Sequence, residues 1–399
     1  MPFYLQQGHG MRSLQVEFVA QFPGTSVIMS PRCCTPDQAK RHAREISKAG
    51  GRVLFDPQFY DPHTPSERIL TYPYWITCAE GFSTQDFQQD CVEDLCSRVV
   101  EYQTSELNVG EVILPGRYTN SPTENWLETQ SAIANSVAAQ HVGVPVYSTL
   151  ALGPDVIAAS ENLDATIDEA IAWPTDGVYV VFRHPNSDRF LIADDLFLYN
   201  LLSALLSLQR AGKKVVLGYA NQQMLIAAVV GIHGLATGNF RNVRQFNPDM
   251  FRPDEGESWS RAVWYYDSTG LSEFRTHAIA LAYRRGMSGL FTSGSPFDEP
   301  LLSDPNPTSV RWGEREAFRH YLFCMRRQWT NLQSYRMCDR VNAVLDMLDG
   351  ARRRMDALRE RGFPLGERSF LSALEPSESA VNAIAHDRAY DLAAYQGRL

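Results

Sequence analysis

Gly50-Gly51-Arg52-Val53-Leu54-Phe55-Asp56-Pro57-Gln58-Phe59-Tyr60 holds the end of one helix, a short strand and the turn that stops it. The Gly-Gly pair ends the helix before it. Val53, Leu54 and Phe55 are apolar in an unbroken run, as in a strand buried on both faces, and Pro57 cannot extend a ladder because it has no N–H. Working outward, the same punctuation recurs: apolar or β-branched runs lie at 3–7, 26–30, 52–56, 111–114, 145–150, 177–182, 213–218 and 233–236. Each ends in a polar or Gly/Pro cluster, and most lead into a segment of helical period. Thr35-Pro36-Asp37 opens a helix running to Ala49, and Ala193-Asp194-Asp195 opens one ending at Ala211-Gly212. Parallel strands joined by helical crossovers account for this alternation, and eight of them close a barrel of roughly 250 residues.

The expected fold is therefore α/β, a (β/α)8 TIM-type barrel with a C-terminal helical extension; a doubly wound open sheet is the alternative. The expected organisation is a barrel over 1–246, an insertion over 247–310 folding across its mouth, and helices over 311–399. Within the insertion, Pro, Asp, Gly and Ser surround the aromatic run Trp259, Trp264, Tyr265 and Tyr266, and a helix is expected from Leu271 to Arg285. One or two long amphipathic helices should reach Arg361, followed by a short helix and a loosely held tail.

The 399 residues are 44% hydrophobic and 21% charged, which excludes collagen-like, low-complexity and wholly disordered classes. No apolar run is long enough to span a bilayer, and Met1 to Ser13 has neither a basic nor an apolar leader pattern, so a cytoplasmic location without membrane contact is expected. Seven cysteines (Cys33, Cys34, Cys78, Cys91, Cys96, Cys324, Cys338) form no CxxC or CxC pair, so neither a disulfide framework nor a zinc site is expected, and no cofactor is implied. The net charge of −9 disfavours general attraction to nucleic acid. One basic stretch, Arg352, Arg353, Arg354, Arg359 and Arg361, alternates with acids in the manner of a solvated helix face.

In such a barrel the chemistry lies at the strand ends. Asp56 falls directly at the end of an apolar strand, where partial burial suits a carboxyl to acid/base work or direct ligand binding; capping of the turn or a structural ion pair is the other reading. Gln58, His9, Arg32, Arg117, Arg183, His184, Tyr219, Asn221 and Asn239 stand at the other strand ends, with Arg241 and Arg244 close behind the last. The arginines suggest a cradle for phosphate or carboxylate, or else partners for Asp56, Asp61 and Asp155. The aromatics Phe59, Tyr60, Tyr118 and Tyr219 suggest faces on which a planar base stacks, or rim packing.

Residues 50–59, Lys214-Val215-Val216-Leu217-Gly218 with Gly231-Ile232-His233-Gly234-Leu235, and the stretch from His320 to Phe363 together resemble the tRNA-guanine transglycosylases, including the branch that inserts deazaguanines into DNA. That resemblance implies a barrel acting on a nucleobase by N-glycosidic cleavage or base exchange, with Asp56 contacting the base. Two features of the family are missing. After the last strand, where its nucleophilic aspartate is expected, this chain has Ala236, Thr237 and Gly238, and no CxCxxC zinc motif is present. Asp249 or Asp267, the latter at the end of the strand-like run from Val263 to Tyr266, is the candidate second carboxylate. The alternative is a non-catalytic subunit that binds nucleic acid or a protein partner, or self-associates, through its C-terminal helices.

Overall fold

The computed structural model describes residues 2–62, 67–75, 89–138, 142–186, 189–251, 262–292, 294–307 and 309–396. Nine parallel strands make the main sheet: β1 (Phe3–Gln6), β2 (Thr25–Met29), β3 (Val53–Phe55), β4 (Val112–Ile113), β5 (Tyr118–Thr119), β6 (Val146–Leu152), β7 (Gly177–Phe182), β8 (Lys214–Leu217) and β9 (Gly234–Thr237). Their order is β3-β2-β1-β9-β8-β7-β6-β4, with the two-residue β5 on β6 beyond β4. The first strand pairs with the last, Leu5 opposite Thr237. That closure makes a (β/α)8 barrel and excludes the doubly wound alternative.

Among the described residues, the one seam without a ladder runs between β3 and β4. It is stitched by Gly110 N–H to Val53 O and Tyr118 N–H to Tyr60 O, each 3.0 Å. Along the seam, the side chain of Gln103 stands in for a neighbouring strand: its Nε2 donates to Ile113 O at 2.7 Å and its Oε1 accepts from Ile113 N–H at 3.1 Å. Gln103 reaches β4 from a π-helical turn, Tyr102–Glu106, that widens the end of the helix Gln89–Glu101.

Alternate strand residues fill the barrel. Tyr4, Ile28, Leu54, Ile113, Tyr147, Tyr179, Val216 and Ala236 are buried in a common cluster. Three of these are tyrosines, and each lies against a glycine: Tyr4 on Gly234, Tyr147 on Gly177, and Tyr179 on Gly218. A Cβ on Gly218 would stand 2.5 Å from the Tyr179 hydroxyl, so only a residue without one fits there. At the end where β4 begins, Glu111 accepts from Tyr4 Oη at 3.0 Å and Tyr147 Oη at 3.5 Å, and burial raises its pKa.

The outer layer keeps the expected helix signals. Thr35 and Gln38 form a reciprocal capping box at the start of Pro36–Lys48, and Asp194 caps Asp195–Arg210 through the Phe197 N–H.

The chain divides into two compact units. The first comprises Met1–Ser187, Asn200–Ala220 and Val230–Gly256; the second comprises Asp188–Tyr199, Asn221–Val229 and Glu257–Leu399. In the second, Gln223 bonds Ile192 at both N–H and C=O and also Ser377, which ties the barrel-derived segments to the helix Leu371–Asp387. A hairpin, β10 (Trp264–Asp267) with β11 (Ser272–Arg275), precedes the helix Thr276–Arg284, so the helix expected from Leu271 starts five residues later. Two long helices follow, Glu314–Ser334 and Met337–Glu360. The expected short helix and loose tail are instead the 17-residue helix Leu371–Asp387 and a further helix, Ala389–Gln396.

The second unit has its own buried polar centre. Asp298 accepts from Gly294 N–H at 2.9 Å, Ser295 N–H at 3.0 Å and Tyr265 Oη at 3.3 Å, and faces His320 Nδ1 at 3.5 Å. His320 Nε2 lies 2.6 Å from Tyr266 O, and burial lowers the pKa of the imidazole. With both ring nitrogens engaged inside a core, this cluster reads as loop anchoring rather than nucleophile activation.

Candidate active site at the strand ends

Asp56 leaves β3 with the same inward parity as Leu54 and is 1% exposed. Its carboxyl takes three hydrogen bonds. Tyr60 Oη donates to Oδ2 at 2.8 Å, Tyr219 Oη to the same oxygen at 3.3 Å, and Gln58 N–H to Oδ1 at 3.0 Å. Burial pushes the carboxyl up to about 7, against the lowering pull of these donors. A strand-end aspartate has thus become a group that is half protonated near neutrality. Among the described residues its partners are two phenols and a backbone N–H, with no cation, so this is not an ion pair.

Gln58 and Tyr219 stand beside Asp56 in strained backbone conformations. Both are non-glycine residues with positive φ, 58° and 51°, and Gln58 Nε2 donates to Tyr219 Oη at 3.1 Å. Such conformations cost about 1–3 kcal/mol and collect at functional sites. The other end of the Gln58 amide accepts from Arg32 N–H at 3.3 Å. Gln58 is therefore engaged at both ends and positions Tyr219 and the loop of Arg32.

Behind Asp56, Tyr179 Oη donates to Gln6 Oε1 at 3.0 Å, and the fully buried Gln6 Nε2 has no hydrogen-bond partner. In front, Phe246 and Phe251 pack on the tyrosines that serve Asp56. Tyr60 lies 4.8 Å from each ring, and Tyr219 lies 5.4 Å from Phe246 and 6.3 Å from Phe251. Neither phenylalanine nor the pair Gln6 and Tyr179 figures among the sequence candidates. Gln6, a polar residue in an otherwise apolar strand, was the available signal; nothing local marks the phenylalanines.

The arginines do not all face one cradle. Arg244 is buried and donates to the carbonyls of Gly238 at 2.8 Å and Asn239 at 2.5 Å, while Arg241 holds Gln245. Arg183 pairs with Asp249 at 3.3 Å and also bonds the Tyr118 hydroxyl. Arg117 is half-buried near Asp61, and the Arg32 guanidinium lies 6.0 Å from the Phe251 ring centre. His184 is buried, stacked on Phe182 and bonded to Gln245, whereas His9 is exposed. Asn221 belongs to the second unit and bonds Phe190 O and Gln223 N–H; Asn239 is buried with its amide nitrogen unpartnered. Asp267 also belongs to the second unit, where it accepts from Arg354 at 2.6 Å and from Gly270 N–H. Among the described residues no cluster of His, Cys, Asp and Glu has the form of a metal site, and no helix is long and apolar enough to cross a membrane.

No family model matches the chain, and no curated protein matches it. Solved structures match it at low similarity. The catalytic domain of a hyperthermophilic chitinase from Pyrococcus furiosus is 12% identical over 64% of this chain and 91% of its own, with a TM-score of 0.37. A structure titled native KDPGal is 10% identical over 64% and 85%, with a TM-score of 0.28. Neither likeness bears on the chemistry of Asp56.

Proposed function

We propose that this barrel binds a nucleobase, in a nucleotide or in nucleic acid, and that Asp56 moves the proton needed to cleave or exchange its N-glycosidic bond. The observation that carries this reading is the Asp56 carboxyl, buried at a strand end, pushed up to about 7 and aimed by Tyr60, Tyr219 and the Gln58 N–H. As the acid, Asp56 protonates a ring nitrogen while the bond from that base to the sugar breaks. As the resulting carboxylate, it takes a proton from the incoming water or hydroxyl, which restores the acid. The surrounding rings, Tyr60, Tyr219 and Phe246, supply faces for a planar heterocycle.

Release of free base from nucleosides, nucleotides and single-stranded oligonucleotides is the assay. Asp56→Asn should retain the fold and lose about 10²- to 10⁴-fold in turnover. The parent rate should fall as pH rises above about 7, where the acid form is lost. Turnover unchanged in Asp56→Asn would sink the proposal.

A second reading is a non-catalytic, transglycosylase-like binding subunit, favoured by the 1% exposure of Asp56 behind packed aromatics. Of its expected contact, the C-terminal arginine stretch, four of the five arginines are held in ion pairs. Arg352 pairs with Glu378, Arg353 with Asp349, Arg354 with Asp267 and Arg359 with Asp356. This argues against a nucleic-acid patch there.

A further inference from the structure

The turn Pro248–Phe251 carries two groups that a ligand of the proposed site would also carry. The Phe251 ring, 2% exposed, stands among Tyr60 at 4.8 Å, Tyr219 at 6.3 Å, Phe246 at 5.7 Å and the Arg32 guanidinium at 6.0 Å. Within this buried cluster, two of its neighbours are tyrosines whose hydroxyls serve Asp56, and one is a cation. Two residues earlier, the Asp249 carboxylate sits on Arg183. The preceding residues are fastened differently, through a backbone bridge between Arg183 and Phe246 and a Gln245 contact to His184. Phe246 is thus a wall of the box, while Phe251 and Asp249 are its contents.

We propose that the turn Pro248–Phe251 occupies the ligand site of the resting protein, with the Phe251 ring in place of a planar base and the Asp249 carboxylate in place of a phosphate on Arg183. This rests on the base-directed reading above. The ligand it specifies is an aromatic heterocycle bearing a phosphate a few bonds away, a nucleoside monophosphate or the equivalent unit of a strand. It binds by displacing the turn. A phosphate accepts two parallel bonds from a guanidinium and outcompetes a half-exposed carboxylate, while a heterocycle replaces the phenyl ring beneath Arg32. A site open only one part in ten to one in a hundred weakens apparent affinity by the same factor, so loosening the turn should recover about 10- to 100-fold.

The test measures binding of AMP, GMP, CMP and UMP and of the plain nucleosides by calorimetry. The proteins are the parent, Asp249→Asn, Phe251→Ala and Arg183→Ala, each also treated with a carbodiimide, and the label on Asp56 is read by mass spectrometry. The expected result is monophosphate binding at least tenfold tighter in Asp249→Asn and Phe251→Ala, with faster labelling of Asp56. In Arg183→Ala the advantage of monophosphate over nucleoside should vanish. Asp249→Asn alters a half-exposed side chain and keeps the test valid if Phe251→Ala unfolds. Equal or weaker binding in both turn variants, with the parent binding, overturns the displaced-turn proposal and leaves the base-directed reading standing. Faster labelling with no nucleotide bound by any form overturns the base-directed reading and the ligand class while the cap stands. Unchanged labelling without binding overturns both.

Discussion

Tyr60 lies four residues beyond Asp56, on the far side of the Pro57 turn, and its hydroxyl donates to Asp56 Oδ2 at 2.8 Å. The Tyr219 hydroxyl, arriving from the end of β8, reaches the same oxygen at 3.3 Å. One carboxylate oxygen therefore takes both phenols while the other takes the Gln58 N–H. Each donor favours the ionised form, so removing one should raise the carboxyl further. Tyr60→Phe should move the Asp56 titration upward by more than Tyr219→Phe does, because its bond is shorter. Carbon-13 NMR of labelled aspartate measures this, and a downward shift in Tyr60→Phe would contradict the assignment.

The raised carboxyl also predicts a pH dependence of stability. Asp56 titrates near 3.8 when unfolded and about 7 when folded, so between those values the native state holds a proton that the unfolded state has lost. Stability from this group is fully present below about pH 4 and is lost as pH rises to about 7, by up to about 4 kcal/mol. His42 and His233, both lowered to about 4 by burial, work in the opposite direction over part of this range. The clean measurement is the difference between the parent and Asp56→Asn in urea unfolding at several pH values. Asp56→Asn should gain relative stability from pH 4 to pH 7; parallel curves would mean the carboxyl is not shifted.

Gly218→Ala tests the packing behind the site. The new methyl would meet the Tyr179 ring and hydroxyl, and Tyr179 is fully buried and bonded to Gln6. Overpacking of this kind costs about 1–3 kcal/mol. Thermal unfolding should show the loss, accompanied by a changed Asp56 titration, since Tyr179 is among the groups that hold it. A stable variant with an unaltered titration would mean that Tyr179 does not support the pocket.

Gln103→Leu tests the seam of the barrel. It keeps the volume but leaves both Ile113 N–H and Ile113 O without their amide partner in a buried site. Each unsatisfied group costs about 1–3 kcal/mol. Hydrogen exchange at Ile113 should accelerate together with a drop in unfolding free energy, and protection equal to the parent's would refute the role given to this side chain.

The eight strands were legible because each is a short apolar run closed by Gly, Pro or a polar cluster, and the structure has a strand within or overlapping all eight runs. The inward turn of Asp56 follows from the period of two that it shares with Leu54. The ninth strand, Tyr118–Thr119, was not legible, since two residues carry no periodicity. Nor was the division of labour among the arginines: Arg244, buried on backbone carbonyls, and Arg183, paired with Asp249, look alike as letters.

Local patterning alone determined the eight strand runs, the helices between them and the presence of an aspartate at a strand end, because strand periods, helix caps and breakers act within a few residues of one another. Closure of β1 on β9, the two tyrosines on one carboxylate oxygen and the seat of Phe251 between them join residues as much as 232 positions apart, as Leu5 is from Thr237. Only the tertiary structure decided these, because burial and the direction of a hydrogen bond depend on which distant side chains arrive at the same point. The proton affinity of Asp56 is set first by that burial, with the distant Tyr219 acting beside the near neighbours Tyr60 and Gln58.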